Sequence, residues 1–259
     1  MNSNRNTINF MGVNIDVVAT EELYSRIVEC AENSKTHKVM YVNADCILIA
    51  QNDAAYRKIL NRADLVYADG MSIVWGARLL GKYLPGRSTA ADFMMQFCRE
   101  FAEKGLGIYL LGAQPGVVEA AGAKLKQAIP ELEIVGTHHG YFQHEENEKI
   151  IDQINRATPH ILLIGLGAPY QEKWIDRNFN RINVPVIWGV GGLFDFLSGR
   201  LNRGPQFLLD NGFEWFCRLC IEPRRLWKRY LIGNLLFMWY VLRWKFSRKD
   251  GNKIASEDS

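Results

Sequence analysis

The sequence predicts an α/β fold: a Rossmann-like, mostly parallel sheet flanked by helices, followed by a basic, aromatic, helical C-terminal appendage. Three observations predict it. Short apolar runs recur along the first 195 residues and end in Gly, Asn or Asp. Stretches of helical spacing separate these runs. After about residue 195 the strand pattern stops, dividing the chain into a core, 1–195, and an appendage, 196–259. Hydrophobicity within the runs is continuous, as expected of strands covered on both faces.

The opening "MNSNRNTINFMGVNID" is polar and lacks the apolar stretch of a signal peptide, so export is not expected. A helix is predicted over 20–33, then a strand in "HKVMYVN" (37–43) and a helix over 45–61. "ADLVYAD" (63–69) is the second strand, and 71–81 the helix it feeds. Thr89 and Asp92 have the spacing of a capping box opening a helix at 90–104. "GIYLLG" (107–112), "LEIVGTH" (132–138), "HILLIGLG" (160–167) and "VPVIWGVG" (184–191) complete the strands, separated by helices at 115–128, 145–157 and 169–180.

The appendage differs in chemistry as well as pattern. Between Glu214 and Lys249 nine lysines and arginines face two acids, a local +7 within a chain of net charge +3. Four of the seven tryptophans lie there, at 215, 227, 239 and 244. The apolar run between Arg229 and Arg243 is too short to span a bilayer. Basic and aromatic residues at both its ends suit a helix lying on an anionic membrane surface, or one packed on the body or a second subunit. The five cysteines are odd in number and scattered, which fits a reducing compartment. Cys217 and Cys220 form a lone CxxC and are expected to share a helix face rather than hold a metal.

In parallel sheets ligands gather outside the carboxyl ends of the strands. Asn43 with Asp45, Asp69 with Gly70, Gly112 with Gln114, Gly165 with Gly167, and Gly189 with Gly191 and Gly192 therefore form one candidate rim, although turns also favour these residues. "GLGAPYQE" (165–172) fails as a dinucleotide fingerprint because Tyr170 stands at the third glycine position. Gln171 can donate to and accept from a sugar hydroxyl, and Glu172 suits the first turn of a helix. No P-loop, D-x-D or G-x-S-x-G occurs, and His138-His139 on an extended segment would point to opposite faces. What remains is a rim carboxylate with arginines elsewhere: Arg87, Arg203, Arg218, Arg224 and Arg225. Arginine's planar fork fits diphosphate oxygens, so a transfer from a diphosphate leaving group to a lipid-borne acceptor is the reading these residues favour.

"YVNADCILIA", "ADLVYADGMSIVWGARLLG", "LLIGLGAPYQEKWI", "GVGGLFDFLSGRLNRGP" and "GFEWFCRLCIEPRRLWKRY" occur in the order found in the WecG/TagA/CpsF glycosyltransferases, which the chain resembles from about residue 10 to 232. The resemblance implies an inverting, metal-independent transferase. It would move N-acetylmannosamine, its uronic acid or a hexose from a UDP donor to an undecaprenyl-diphosphate-linked sugar, at the cytoplasmic face of the membrane. It matches Asp69 to the general base, and Asn43, Arg87 and Gln171 to other active-site positions. Arg218, Arg225 and Lys228 match residues that approach the lipid diphosphate; Arg203 is grouped with them, and Gly70, Gly112, Gly167 and Glu172 with the substrate site. No cofactor, metal or nucleic acid is expected; the 214–249 tail would meet the membrane, and a homo-oligomer is compatible. Two departures bear on the sugar pocket. Arg87-Ser88-Thr89-Ala90-Ala91-Asp92 lacks an intervening glycine common in relatives, and Tyr41 replaces a small hydroxyl residue. A non-catalytic membrane-bound assembly protein and a nicotinamide oxidoreductase remain as alternatives.

Overall fold

The computed structural model of the protein describes residues 5–257, with the side chains of Gln206, Asp210, Arg225 and 248–257 outside the description. Two short strands come first: β1 (Thr7–Phe10) and β2 (Val13–Asp16) form an antiparallel hairpin. Its two-residue turn, Met11-Gly12, has positive φ at both positions, as a right-twisted hairpin requires. The hairpin was not predicted; its signal is the alternation of Ile8, Phe10, Val13 and Ile15 around Gly12. Buried Asp16 ties it down, accepting from Arg5 Nε at 3.0 Å and from the Val66 backbone N–H at 2.7 Å.

The main sheet contains β3 (His37–Val42), β4 (Leu65–Ala68), β5 (Ile108–Gly112), β6 (Ile134–His138), β7 (Ile161–Gly165) and β8 (Val186–Gly189). Their order is β4-β3-β8-β7-β5-β6, and every pairing is parallel. β3, β4, β5 and β8 are buried along their whole length, which is why their sequences do not alternate. Trp188 on β8 anchors one side of the core, stacking on Phe93 at 5.9 Å and donating its indole N–H to Tyr67 at 3.1 Å.

The predicted helix at 45–61 is two helices, Ala44–Asn52 and Ala54–Asn61. Asp53 separates them: its backbone is extended and its carboxylate accepts from Tyr56 N–H at 2.9 Å, so a polar cap outweighs the continuous apolar spacing. The capping box at Thr89 does not form. Thr89 precedes the helix Ala90–Glu103, but its hydroxyl is committed elsewhere.

Beyond β8 the chain is helical: Leu193–Leu197, Gln206–Asp210, Glu214–Ile221, Pro223–Trp227, a π turn at Lys228–Ile232, and Gly233–Glu257. The last helix packs on the body through Phe237 and Val241, both fully buried. The Phe237 ring lies 6.1 Å from Phe10 and fits because position 76 is glycine. Its other side leaves Leu235, Leu236, Met238, Trp239, Leu242 and Phe246 exposed. The helix therefore packs on the body along one side and exposes apolar side chains along the other. Among the described residues no helix is long and apolar enough to cross a membrane. Cys217 and Cys220 lie three residues apart on the helix Glu214–Ile221, Cys217 buried and Cys220 exposed.

Candidate active site

A cavity of about 760 Å³ opens where β3, β4, β5, β7 and β8 end, the place the strand topology favours for a ligand. A second cavity of about 280 Å³ adjoins it between the helices Ala44–Asn52 and Met71–Leu79 and the appendage. Asn43, Asp45, Asp69, Thr89, Glu214, Arg218 and Arg229 line both. The larger chamber is walled by the backbone of Gly165–Gly167 and Val190–Gly192, the smaller by Met71, Trp75, Trp215, Phe237 and Met238.

Asp69 stands at the wall the two cavities share. Its backbone N–H donates to the carbonyl of Val42 at 2.8 Å, which continues the sheet pairing one residue past β4. One side-chain oxygen, Oδ1, accepts from the Thr89 hydroxyl at 2.8 Å. Burial first, and then the charge of Glu214, push its carboxyl up to about 6; the Thr89 hydrogen bond, Arg218 and Arg87 act in the opposite sense. A carboxylate so placed is chemically able to exchange a proton near neutral pH. Gly70 follows with φ 117°, a conformation that L side chains rarely adopt. It lets the chain leave the strand and enter the helix Met71–Leu79 beside the smaller cavity.

Asn43 also lines both chambers. Its carboxamide oxygen caps the helix Ala44–Asn52 by accepting from Cys46 N–H at 3.1 Å. Tyr41, next along β3, lies in the larger cavity's wall against Gly191. Gly167 borders the larger cavity.

Other predicted residues lie off the cavities. Gly112 sits behind the rim, where a side chain would meet the Gly165 carbonyl oxygen at 2.5 Å; it lets β5 and β7 end side by side. Gln171 and Glu172 are fully buried. Gln171 Oε1 accepts from Gly191 N–H at 3.0 Å, and its Nε2 donates to Glu172 Oε1 at 2.7 Å. Both ends of the Gln171 amide are therefore occupied, and the pair holds the Val190–Gly192 loop from beneath. Burial raises Glu172 to about 7 against the opposing hydrogen bond from Gln171.

The arginines divide in the same way. Arg87 lines the smaller cavity but is bound within the protein: it donates to Glu214 at 2.9 Å, the Leu209 carbonyl at 3.0 Å and Thr89 at 3.1 Å, and lies 3.4 Å from Asp92. Arg203, behind the wall, pairs with Asp92 at 2.6 Å and with Glu214 at 3.4 Å. Arg218 borders both cavities, 3.8 Å from Glu214 and stacked over Phe196. The Arg225 side chain lies outside the described residues. Lys228 is exposed over Trp227 and borders neither cavity. Its neighbour Arg229, which the sequence reading passed over, lines both and pairs with Asp45 at 3.2 Å. The π turn that carries these two residues shifts the helix register, and that shift is invisible in residue spacing. Thr89 and Glu214 were missed for another reason: each has a sufficient explanation as a helix-start residue.

His138 and His139 do not point apart; β6 ends at His138 and the two rings lie 4.8 Å from each other. Among the described residues no three His, Cys, Asp or Glu side chains are grouped to share a metal ion.

The sequence model described as the glycosyl transferase WecG/TagA/CpsF family matches residues 8–251. An N-acetylglucosaminyldiphosphoundecaprenol N-acetyl-beta-D-mannosaminyltransferase of Bacillus subtilis (strain 168) is 32% identical over 73% of this chain and 73% of its own. The Staphylococcus aureus (strain NCTC 8325 / PS 47) protein of the same description is 29% identical over 94% of this chain and 95% of its own.

Proposed function

The chain belongs to the WecG/TagA/CpsF family of glycosyl transferases, and from that premise we propose that it moves a sugar from a UDP donor onto an undecaprenyl-diphosphate-linked sugar, with inversion and without a metal. The observation that carries this reading is Asp69, a carboxylate raised to about 6 in the wall between a polar and a largely apolar chamber. The larger chamber, with glycine-loop backbone and Arg177, Arg200, Arg218 and Arg229 in its wall, suits a nucleotide sugar. The smaller, walled by Trp75, Phe237 and Met238, suits the lipid-proximal end of the acceptor.

Asp69 takes the proton of the acceptor hydroxyl as that oxygen attacks the anomeric carbon. The new C–O bond forms on one face while the bond to the diphosphate breaks on the other, and UDP leaves with the electron pair. Arg218 and Arg229 meet the charge that develops. Asn43 positions a sugar hydroxyl through its amide nitrogen, and Gln171 holds the loop against which the donor rests.

The exposed apolar side of the last helix, with Arg243 and Lys245 on the same helix, would seat the enzyme on the cytoplasmic face of the membrane as a peripheral protein. The named activity of the relatives makes N-acetylmannosamine the first donor sugar to test, with an N-acetylglucosamine-diphosphate lipid as acceptor. The deciding experiment incubates the purified protein with that acceptor and a panel of UDP-sugars and identifies the product by mass. Lipid-linked sugar bound without transfer from any donor would favour a non-catalytic assembly protein instead.

A further inference from the structure

A backbone N–H can only donate, so the Gly191 N–H fixes which end of the Gln171 carboxamide faces it: Oε1, accepting at 3.0 Å. The amide nitrogen must then find an acceptor on its other side, and Glu172 Oε1 supplies one at 2.7 Å. Without it a buried donor would be left unpaired, which is costly, so the orientation of Gln171 depends on Glu172. Gln171 lies directly under the loop, where a side chain at Gly189 would stand 3.1 Å from its Nε2. Gly191 has φ 57° and no room for a side chain, since a Cβ there would meet the Tyr41 hydroxyl at 2.5 Å. The loop 190–192, which walls the larger chamber, is thus set by contacts that begin at Glu172.

Glu172 is fully buried, and its second oxygen, Oε2, has no hydrogen-bond partner among the described residues. The titratable groups facing it from the packed elements are Tyr41 of β3, Cys46 of the helix Ala44–Asn52 and Tyr56 of the helix Ala54–Asn61. A charge on Glu172 would make each of them harder to ionise, and none is a cation. Lys173, next in the chain, is paired with Asp53 at 2.6 Å. Burial without a counter-charge favours the protonated carboxyl.

We propose that Glu172 is a positioning residue of the donor chamber, whose uncharged carboxyl holds Gln171 and through it the loop 190–192 in the arrangement that a nucleotide sugar meets. The proposal rests on the transferase reading above, in which the donor occupies the larger chamber. The protonated carboxyl keeps one oxygen for Gln171 and carries no charge to hydrate. Once ionised, it is an uncompensated charge in a dry core. Relief comes by admitting water or swinging outward, and either parts Oε1 from Gln171 and releases Gly191. Donor affinity therefore falls as Glu172 loses its proton, whereas the smaller chamber, which the loop does not line, is untouched.

The test compares the full-length parent, Glu172→Gln and Glu172→Met by calorimetric titration with UDP from about pH 6 to about pH 8.5. Hydrogen exchange at 189–192, without ligand and at the lower pH, is measured alongside. Gln keeps an acceptor for Gln171 but has no proton to lose; Met keeps the length and has no acceptor. Dividing the parent's dissociation constant by that of Glu172→Gln at each pH cancels the titration of Asp69 and of UDP itself. That ratio should rise about tenfold across the range, the scale of one buried hydrogen bond. Glu172→Met should bind UDP about tenfold more weakly even at the lower pH and exchange faster at 189–192. Its KM for the lipid-linked acceptor should stay at the parent value. A flat ratio, or parent UDP affinity in Glu172→Met, would overturn the proposal; should the Met variant fail to fold, the Gln ratio still decides. Faster exchange in Glu172→Met with no UDP binding by the parent would count against the transferase reading alone. UDP bound equally by all three proteins would count against this role of Glu172 alone.

Discussion

The hydroxyl of Thr89 donates to Asp69 Oδ1 at 2.8 Å while accepting from Arg87 Nη1 at 3.1 Å. Arg87 in turn grips Glu214 and the carbonyl of Leu209. A residue whose spacing suggested a helix cap instead links the rim carboxylate of the core to the appendage. Thr89→Val should therefore lower turnover by about tenfold or more, the scale of one hydrogen bond to a charged group. Since that bond favours the ionised carboxylate, its loss should also move the acid limb of the pH–rate profile to higher pH. Thr89→Ser should restore both. A pH profile that does not move would reduce Thr89 to a packing role.

Asp69→Asn should cut turnover by roughly 10²–10⁴-fold, the usual contribution of a general base. UDP binding, measured calorimetrically, should be nearly unchanged. In the unaltered enzyme the rate should fall as the pH drops below about 6, where Asp69 takes up a proton. An Asn variant that retains full activity would exclude Asp69 as the base.

Glu172 makes a prediction about stability rather than rate. Its carboxyl is raised to about 7 in the folded protein, against an ordinary value of 4.5, so the folded state holds the proton more tightly than the unfolded chain. The favourable contribution is complete below about pH 4.5 and is lost as the pH rises through 7. Asp69 contributes a slope of the same sign between about 4 and 6. Glu172→Gln, which keeps the shape and removes the charge, should flatten the fall in denaturation midpoint between pH 5 and 7. An unaltered slope would show that Glu172 is not the group responsible.

Replacing Leu235, Trp239 and Leu242 together by Ser should weaken binding to anionic lipid vesicles in a flotation assay. Folding should be spared, because all three side chains are exposed while Phe237 and Val241 make the contact with the body. Equal flotation of variant and parent would place the membrane contact elsewhere.

Much of the fold was legible. All six strands of the main sheet lie within the predicted runs, and β3, β4, β5 and β8, covered on both faces, are continuously apolar for that reason. The hairpin of β1 and β2 was overlooked because four-residue strands carry little periodicity. The break at Asp53 was overlooked because apolar spacing resumes at once beyond it.

The site was legible in part. Asp69, Asn43 and Gly167 stand on the cavities as the strand ends implied, since a parallel sheet delivers all its carboxyl ends to one rim. Gln171 and Glu172 share that rim in sequence but turn inward, while Lys228 lies off both cavities and Arg229 lines them.

The parallel α/β core, the rim on which a carboxylate could act, and the basic aromatic character of the tail were all written in the order of the residues. These follow from local composition and period, which every segment carries with it. Folding alone brought together the polar groups that are spent on one another: Gln171 on Glu172 and Gly191, Thr89 on Asp69, and three arginines on Glu214. Such pairings join residues up to 127 positions apart. Charge and hydrogen bonding depend on distance in space, and no spacing along the chain encodes that.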